Sequence, residues 1–196
     1  EYQRIHDEAT DEIRSHSSWP VFLRHHAEAL IRRERWDEAE KICLEGLATL
    51  DHSQPEPLHH ASGLHSTLAN LNVRRKNLQP AIDALQTAIR IETDANGPLS
   101  PWLPELHVTS ARLQSAANDH ASAIRHCQRA LTAIDETANE PLRLPALRTL
   151  ADCLQSDGQF SKAASVREQC VQLTRSATGL NERLDLAIDH GQQLVN

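Results

Sequence analysis

The sequence predicts an all-α solenoid of about four stacked helix pairs, and three observations predict it. The first is an internal repeat: Ala39, Ala81, Ala123 and Ala163 are spaced 42, 42 and 40 residues apart, and seven residues after each stands another small residue, Gly46, Ala88, Ala130 or Cys170. Seven residues make two helical turns, so both members of a pair face the same way and let two helix backbones approach closely. The second is a set of matching openings, Pro57-Leu58, Pro98-Leu99 and Pro141-Leu142, spaced 41 and 43, each after a polar stretch and before a long apolar-periodic segment. Proline suits the first turn of a helix, where its missing N–H has no partner anyway. The third is composition. Aromatic residues are only 3% of the 196, whereas sandwiches and barrels draw on aromatic and β-branched strands. The closest two of the six glycines, Gly179 and Gly191, lie 12 apart, which excludes any GxGxxG, P-loop or GxSxG signature.

The elements follow in order. A leading helix is expected near 2–15, then pairs near 18–33 and 36–50, 57–75 and 78–93, 100–117 and 119–135, and 141–156 and 160–175. A closing helix near 179–194 carries Leu180, Leu184, Leu186, Ile188 and Leu194. In each pair the first helix shows Leu and Ala at helical spacing, as in Leu147, Leu150, Ala151 and Leu154, and the second carries the small pair. The break between them is clearest at Ser156-Asp157-Gly158-Gln159, where glycine can take the helix-ending conformation. A lone pair cannot bury both faces, so the pairs must stack. The organisation is therefore a leading helix 1–17, four repeats over 18–177 (about 18–53, 54–95, 96–137 and 138–177), and a closing helix 178–196.

Net charge is -7, the wrong sign for generic nucleic-acid binding. The cluster Arg32, Arg33, Arg35 sits beside Glu34 and Asp37 and reads as a solvated helix end. No apolar run approaches the roughly 18 residues of a membrane span. Cys43, Cys127, Cys153 and Cys170 form no CxxC pair and fall inside predicted helices, which fits reduced thiols in a cytoplasmic protein. The chain has no methionine and begins with Glu1, so it is expected to be a piece of a longer protein.

These residues resemble the tetratricopeptide repeat (TPR), whose hallmarks are a large then a small residue in the first helix, a turn glycine, an aromatic, and small residues in the second helix. The fourth unit matches best, with Leu150-Ala151, Leu154, Gly158, Phe160, Ala163 and Cys170. The first offers Ala27, Leu30, Trp36, Ala39 and Gly46; the second Leu68-Ala69, Leu78, Ala81 and Ala88; the third Ala111, His120, Ala123 and Ala130. The period of about 42 exceeds the usual 34 and looks like that of kinesin light chains and of bacterial regulators resembling the maltose activator. The extra residues are expected between units and at the start of each first helix. The resemblance implies a right-handed solenoid whose first helices line a concave, partner-binding face, with Phe160 and Trp36 in the core. It does not extend to the clamp of chaperone adaptors. Arg24 and Glu28 stand where that clamp needs Lys and Asn, and Glu105 and Thr109 where it needs basic residues, although Asn70 matches.

Carried over unit by unit, the inward-facing candidates are Arg24, Glu28 and Arg32, then Ser66, Asn70 and Arg74, then Val108, Arg112 and Ser115, then Arg148, Asp152 and Gln155. Arginine presents a planar fork suited to carboxylates and phosphates, so an acidic partner segment is one expectation. Pairing of these arginines with neighbouring acids is the other. Trp19 and Trp102 are expected to cap the stacking of units, or to present an exposed anchor.

Catalytic chemistry finds no foothold. No two of the 12 histidines are three or four apart, HExxH is absent, and His65 and His107 occupy equivalent repeat positions, which favours packing. No catalytic residue, metal or cofactor is expected, only a site assembled between helices such as His126 with Cys153 being open. The functional expectation is a non-enzymatic protein-interaction module, the scaffold or regulatory part of a larger bacterial signalling protein, binding a protein or peptide but neither nucleic acid nor membrane. The alternatives are a ligand sensor controlling an attached transcription or output domain, and a scaffold that makes homodimers through its terminal helices.

Overall fold

The computed structural model of the protein describes residues 1–50 and 55–175, the side chains of 55–58 excepted. The expected closing helix near 179–194 lies outside the described residues. Two short helices, α1 (Tyr2–Glu8) and α2 (Asp11–Ser15), replace the single leading helix, because Thr10 caps α2 by accepting from the Ile13 N–H at 3.4 Å. The helix pairs follow as α3 (Trp19–Arg32) with α4 (Trp36–Ala48), α5 (Pro55–Arg74) with α6 (Leu78–Asn96), and α7 (Leu103–Ala116) with α8 (His120–Thr137). Then come a 3-10 turn at Glu140–Leu142, α9 (Arg143–Ser156) and α10, residues 160–175. All described secondary structure is helical. The extra residues of the long period partly extend second helices, since α6 runs to Asn96 and α8 to Thr137 before a residue with positive φ, Gly97 or Ala138, ends each.

The repeat is visible in burial. Ala39, Ala81 and Ala123 are fully buried and Ala163 nearly so, and Ala88, Ala130 and Cys170 are buried two turns on. At Gly46 an added Cβ would stand 2.8 Å from Leu64 Cδ1, so glycine is what lets α5 close on α4 there. The first helices carry their own small position, Ala27, Ala69, Ala111 and Ala151, all buried. Neighbours in chain order pack on one another, and first helices also touch directly, α3 on α5 and α7 on α9. One core cluster joins Trp19, Leu23, Ile42 and Leu64, a second lies between α6 and α7, and a third around Cys127, Leu150 and Cys153.

The turn within each pair repeats in backbone geometry more faithfully than in sequence. Glu34, Lys76, Asn118 and Gly158 have φ of 60, 62, 62 and 76°. In each turn the next residue's N–H reaches back five residues: Arg35 to the Leu30 carbonyl, Asn77 to Asn72, Asp119 to Gln114 and Gln159 to Leu154. Only the fourth unit has glycine at this left-handed position. Glu34→Gly and Lys76→Gly are therefore expected to stabilise the protein by about 0.5–1 kcal/mol each, and Gly158→Ala to destabilise it by about 1 kcal/mol. Urea titration of the three variants checks the signs.

The aromatic residues depart from expectation. Trp19 is not a cap but part of the core, stacked on Phe22 at 4.9 Å and on His6 of α1 at 5.9 Å. His6 and Arg14 both reach Glu45, at 3.0 and 3.2 Å, which holds α1 and α2 against α4. Trp36 is half-buried against the first cluster, but Phe160 is 68% exposed. The core position expected for it is therefore not found among the described residues.

Candidate functional site

The first helices α3, α5 and α7 together line a groove of about 430 Å³. Its residues follow from helical spacing. Arg24, Glu28 and Arg32 lie one turn apart along α3, Ser66, Asn70 and Arg74 along α5, and Glu105 and Thr109 along α7. His59 and Trp102 stand at the end where these helices begin. No residue of α1 or α2 lines the groove, so the leading segment does not close it into a compact pocket.

Five of the eight expected site residues, Arg24, Glu28, Arg32, Asn70 and Arg74, share this cavity. The other three stand apart from it. Arg112 is exposed on α7 and its Nε donates to Thr149 Oγ1 of α9 at 3.3 Å. Arg148 and Asp152 line a separate, shallower depression between α9 and α10, where Arg167 lies 3.6 Å from Asp152. Val108 is buried, and the groove position on α7 passes to Thr109 and Glu105.

The arginines differ in what they already hold. Arg24 Nη1 donates to Glu28 Oε1 at 3.0 Å, and its stem lies on the backbone of α5, where an added Cβ at Gly63 would stand 3.0 Å from Arg24 Cδ. Arg32 and Arg74 are exposed, and among the described residues neither has an ion pair within 4.0 Å. Among the described residues three arginines thus face two carboxylates in the groove of a chain whose net charge is -7.

Beneath the other end lies a polar cluster that nothing in the sequence marks. Glu92 of α6 is fully buried and accepts from Ser100 Oγ at 2.5 Å and Asn96 Nδ2 at 2.8 Å, with His59 Nδ1 at 2.9 Å. Burial alone would raise its carboxyl, but the hydrogen bonds from Ser100, His59 and Asn96 outweigh burial and hold it below the ordinary value. The ring of His59 is thereby fixed against Trp102, with centroids 5.0 Å apart, and Trp102 remains 53% exposed.

Away from the groove, His107 of α7 and His126 of α8 meet with their Nδ1 atoms 3.0 Å apart, and Ser110 Oγ lies 3.2 Å from His126 Nε2. Burial, with His126 and Arg129 adding to it, pushes His107 down to about 4; burial and Arg129 also lower His126. His126 therefore pairs with a histidine rather than with Cys153, which packs with Cys127 in the third core cluster. All four cysteines are free and buried, and burial pushes the Cys43 thiol up to about 12, far from a reactive thiolate. Among the described residues no group of three or more metal-ligating side chains occurs, and no helix is long and apolar enough to cross a membrane.

No protein-family model matches the chain, and no curated protein matches it in sequence. Solved structures do match in shape. The nearly identical TPR-like repeats of a candidate kinesin light chain from Podosopora anserina superpose with a TM-score of 0.68 at 20% identity, covering 82% of this chain and 77% of that one. Aspartyl phosphate phosphatase F from Bacillus subtilis gives 0.73 at 12% identity over 90% of this chain, which spans only 44% of that protein. MamA gives 0.62 at 13%, covering 91% of this chain and 87% of that one. Identities this low speak for the fold alone. With the 42-residue repeat, the buried small positions and the recurrent turn, they make the chain an all-α solenoid of the TPR type.

Proposed function

We propose that this chain is a protein-interaction module that holds a segment of a partner protein in the groove along α3, α5 and α7, and that the segment is acidic. One observation carries the reading: Arg24, Arg32, Arg74 and Asn70 converge on a single groove in a chain of net charge -7. A concave, cation-lined surface concentrates anionic partners and speeds their association. The four units 18–53, 54–95, 96–137 and 138–177 would act as one rod, the regulatory or scaffold part of a larger bacterial signalling protein in the cytoplasm. Interfaces between units contribute small rotations, so occupancy of the groove would alter their pitch and be felt by an attached domain. No catalytic step is assigned to it.

The test is affinity capture from the source cells with the wild-type chain and with Arg32→Glu/Arg74→Glu, followed by titration of the identified partner. The double reversal is expected to weaken binding by about tenfold or more, and wild-type binding to weaken as salt is raised. A partner held equally by both proteins places the interface on another surface and refutes the groove.

A further inference from the structure

Resting on that reading, we infer that the groove recognises charge at one edge only, and that its element is a two-arginine fork, Arg32 with Arg74, shaped for a doubly negative group on the partner segment. Arg32 is the last residue of α3 and Arg74 the last of α5. The two helices are neighbouring first helices of successive pairs and run the same way, so both arginines stand at the same rim. Packed helices lie roughly 8–10 Å apart, and two arginine side chains reaching from neighbouring helix ends can close on one group between them.

Four of the acids around this fork are already engaged by other cations. At the start of α4, Glu38 is taken by Arg35 at 2.5 Å, while Asp37 and Glu40 are taken by Arg75 at 2.5 and 2.6 Å. Glu28 is engaged by Arg24 and His25. These four acids are thus held by other cations, and of the charged residues at the ends of α3 and α5 it is Arg32 and Arg74 that line the groove. Asn70, one turn before Arg74, adds an amide at the same rim.

Two cations on one group match a phosphate monoester or two adjacent carboxylates better than one carboxylate, which a single guanidinium already satisfies. In mid-groove Arg24 and Glu28 neutralise one another, and Glu105 toward the far end repels an anion there. The ligand is therefore polar in direction, its charge at the Arg32–Arg74 rim and uncharged residues crossing toward His59 and Trp102.

The experiment uses fluorescein-labelled peptide pools with random neutral flanks and a fixed centre of phosphoserine, Glu-Glu or serine, titrated against the 196-residue chain by anisotropy. The phosphoserine pool, the Glu-Glu pool or both are expected to bind about tenfold more tightly than the serine pool, and the first two arms identify which source supplies the charge. Arg32→Gln and Arg74→Gln should each remove most of that preference with circular dichroism unchanged, whereas Arg148→Gln should leave it intact. Equal binding of all three pools, abolished by Ser66→Arg but untouched by Arg32→Gln, overturns the fork and the acidity of the segment and leaves the groove standing as the binding surface. Binding of no pool overturns both.

Discussion

Glu92→Ala is expected to destabilise the protein by about 3 kcal/mol and to loosen the joint between α5, α6 and α7. The carboxylate is fully buried at the last turns of α6, with three partners: Ser100 before α7, Asn96 on its own helix, and His59 on α5. Removing it strands the buried Ser100 hydroxyl, at about 1–3 kcal/mol for a stranded buried polar group, and leaves a cavity where the side chain stood, while the part-exposed His59 ring can turn to water. Glu92→Gln keeps the shape and one acceptor and should cost less, about half as much. Because the folded carboxyl sits below its ordinary value of 4.5, its contribution is present above that pH and fades as pH falls through the lower folded value. Urea titrations of both variants at neutral pH and near pH 4 test the argument. An alanine variant as stable as wild type would show that the cluster does not hold the joint.

The second large effect is loss of stability in mild acid. His107 titrates at about 4 when folded, against 6.5 when unconstrained. Between these values the unfolded chain takes up a proton that the folded form refuses, so stability is full above pH 6.5 and falls as pH drops toward 4. The loss at the lower limit is about 3 kcal/mol, from roughly 1.4 kcal/mol per pKa unit. His126 is also lowered, chiefly by burial, as is His26, for which burial and then His6 are responsible; both act in the same direction. His107→Asn should lower stability at pH 7.5, since it removes a buried packing partner, yet show a markedly smaller difference between pH 7.5 and 4.5 than wild type. An unchanged difference would place the acid sensitivity elsewhere.

Much of the fold was legible because a solenoid writes its packing into sequence periodically. The alanines that let helices approach recur at 42, 42 and 40; helical spacing puts Arg24, Glu28 and Arg32, or Asn70 and Arg74, on one side of a helix, and the resemblance to the TPR implied that this side faces inward. What stayed hidden depends on contacts between units. Glu92 reads like any solvent-facing acid on an amphipathic helix, and only the approach of Ser100 and His59 from two other elements turns it inward. The left-handed turns at Glu34 and Lys76 carry no turn-forming residue, because the closing hydrogen bonds impose the geometry on whatever stands there. Val108, in perfect register with Arg24 and Ser66, is drawn into the core formed with Ala130, Ile134 and Ala146. Phe160 shows the converse, a residue in repeat register that remains exposed.

The succession of helices, each gripping the next and at most the one after it, makes this molecule a spring as much as a surface. Tension applied to its two ends would be borne in series by one interface after another, the weakest yielding first. The cavity straddles two of these joints, α3 directly against α5 and the step from α5 to α7 that runs through α6. Anything lodged across both would brace them like a splint, so that stiffness along the rod, rather than a change of outline, becomes the quantity through which occupancy is felt at a distance.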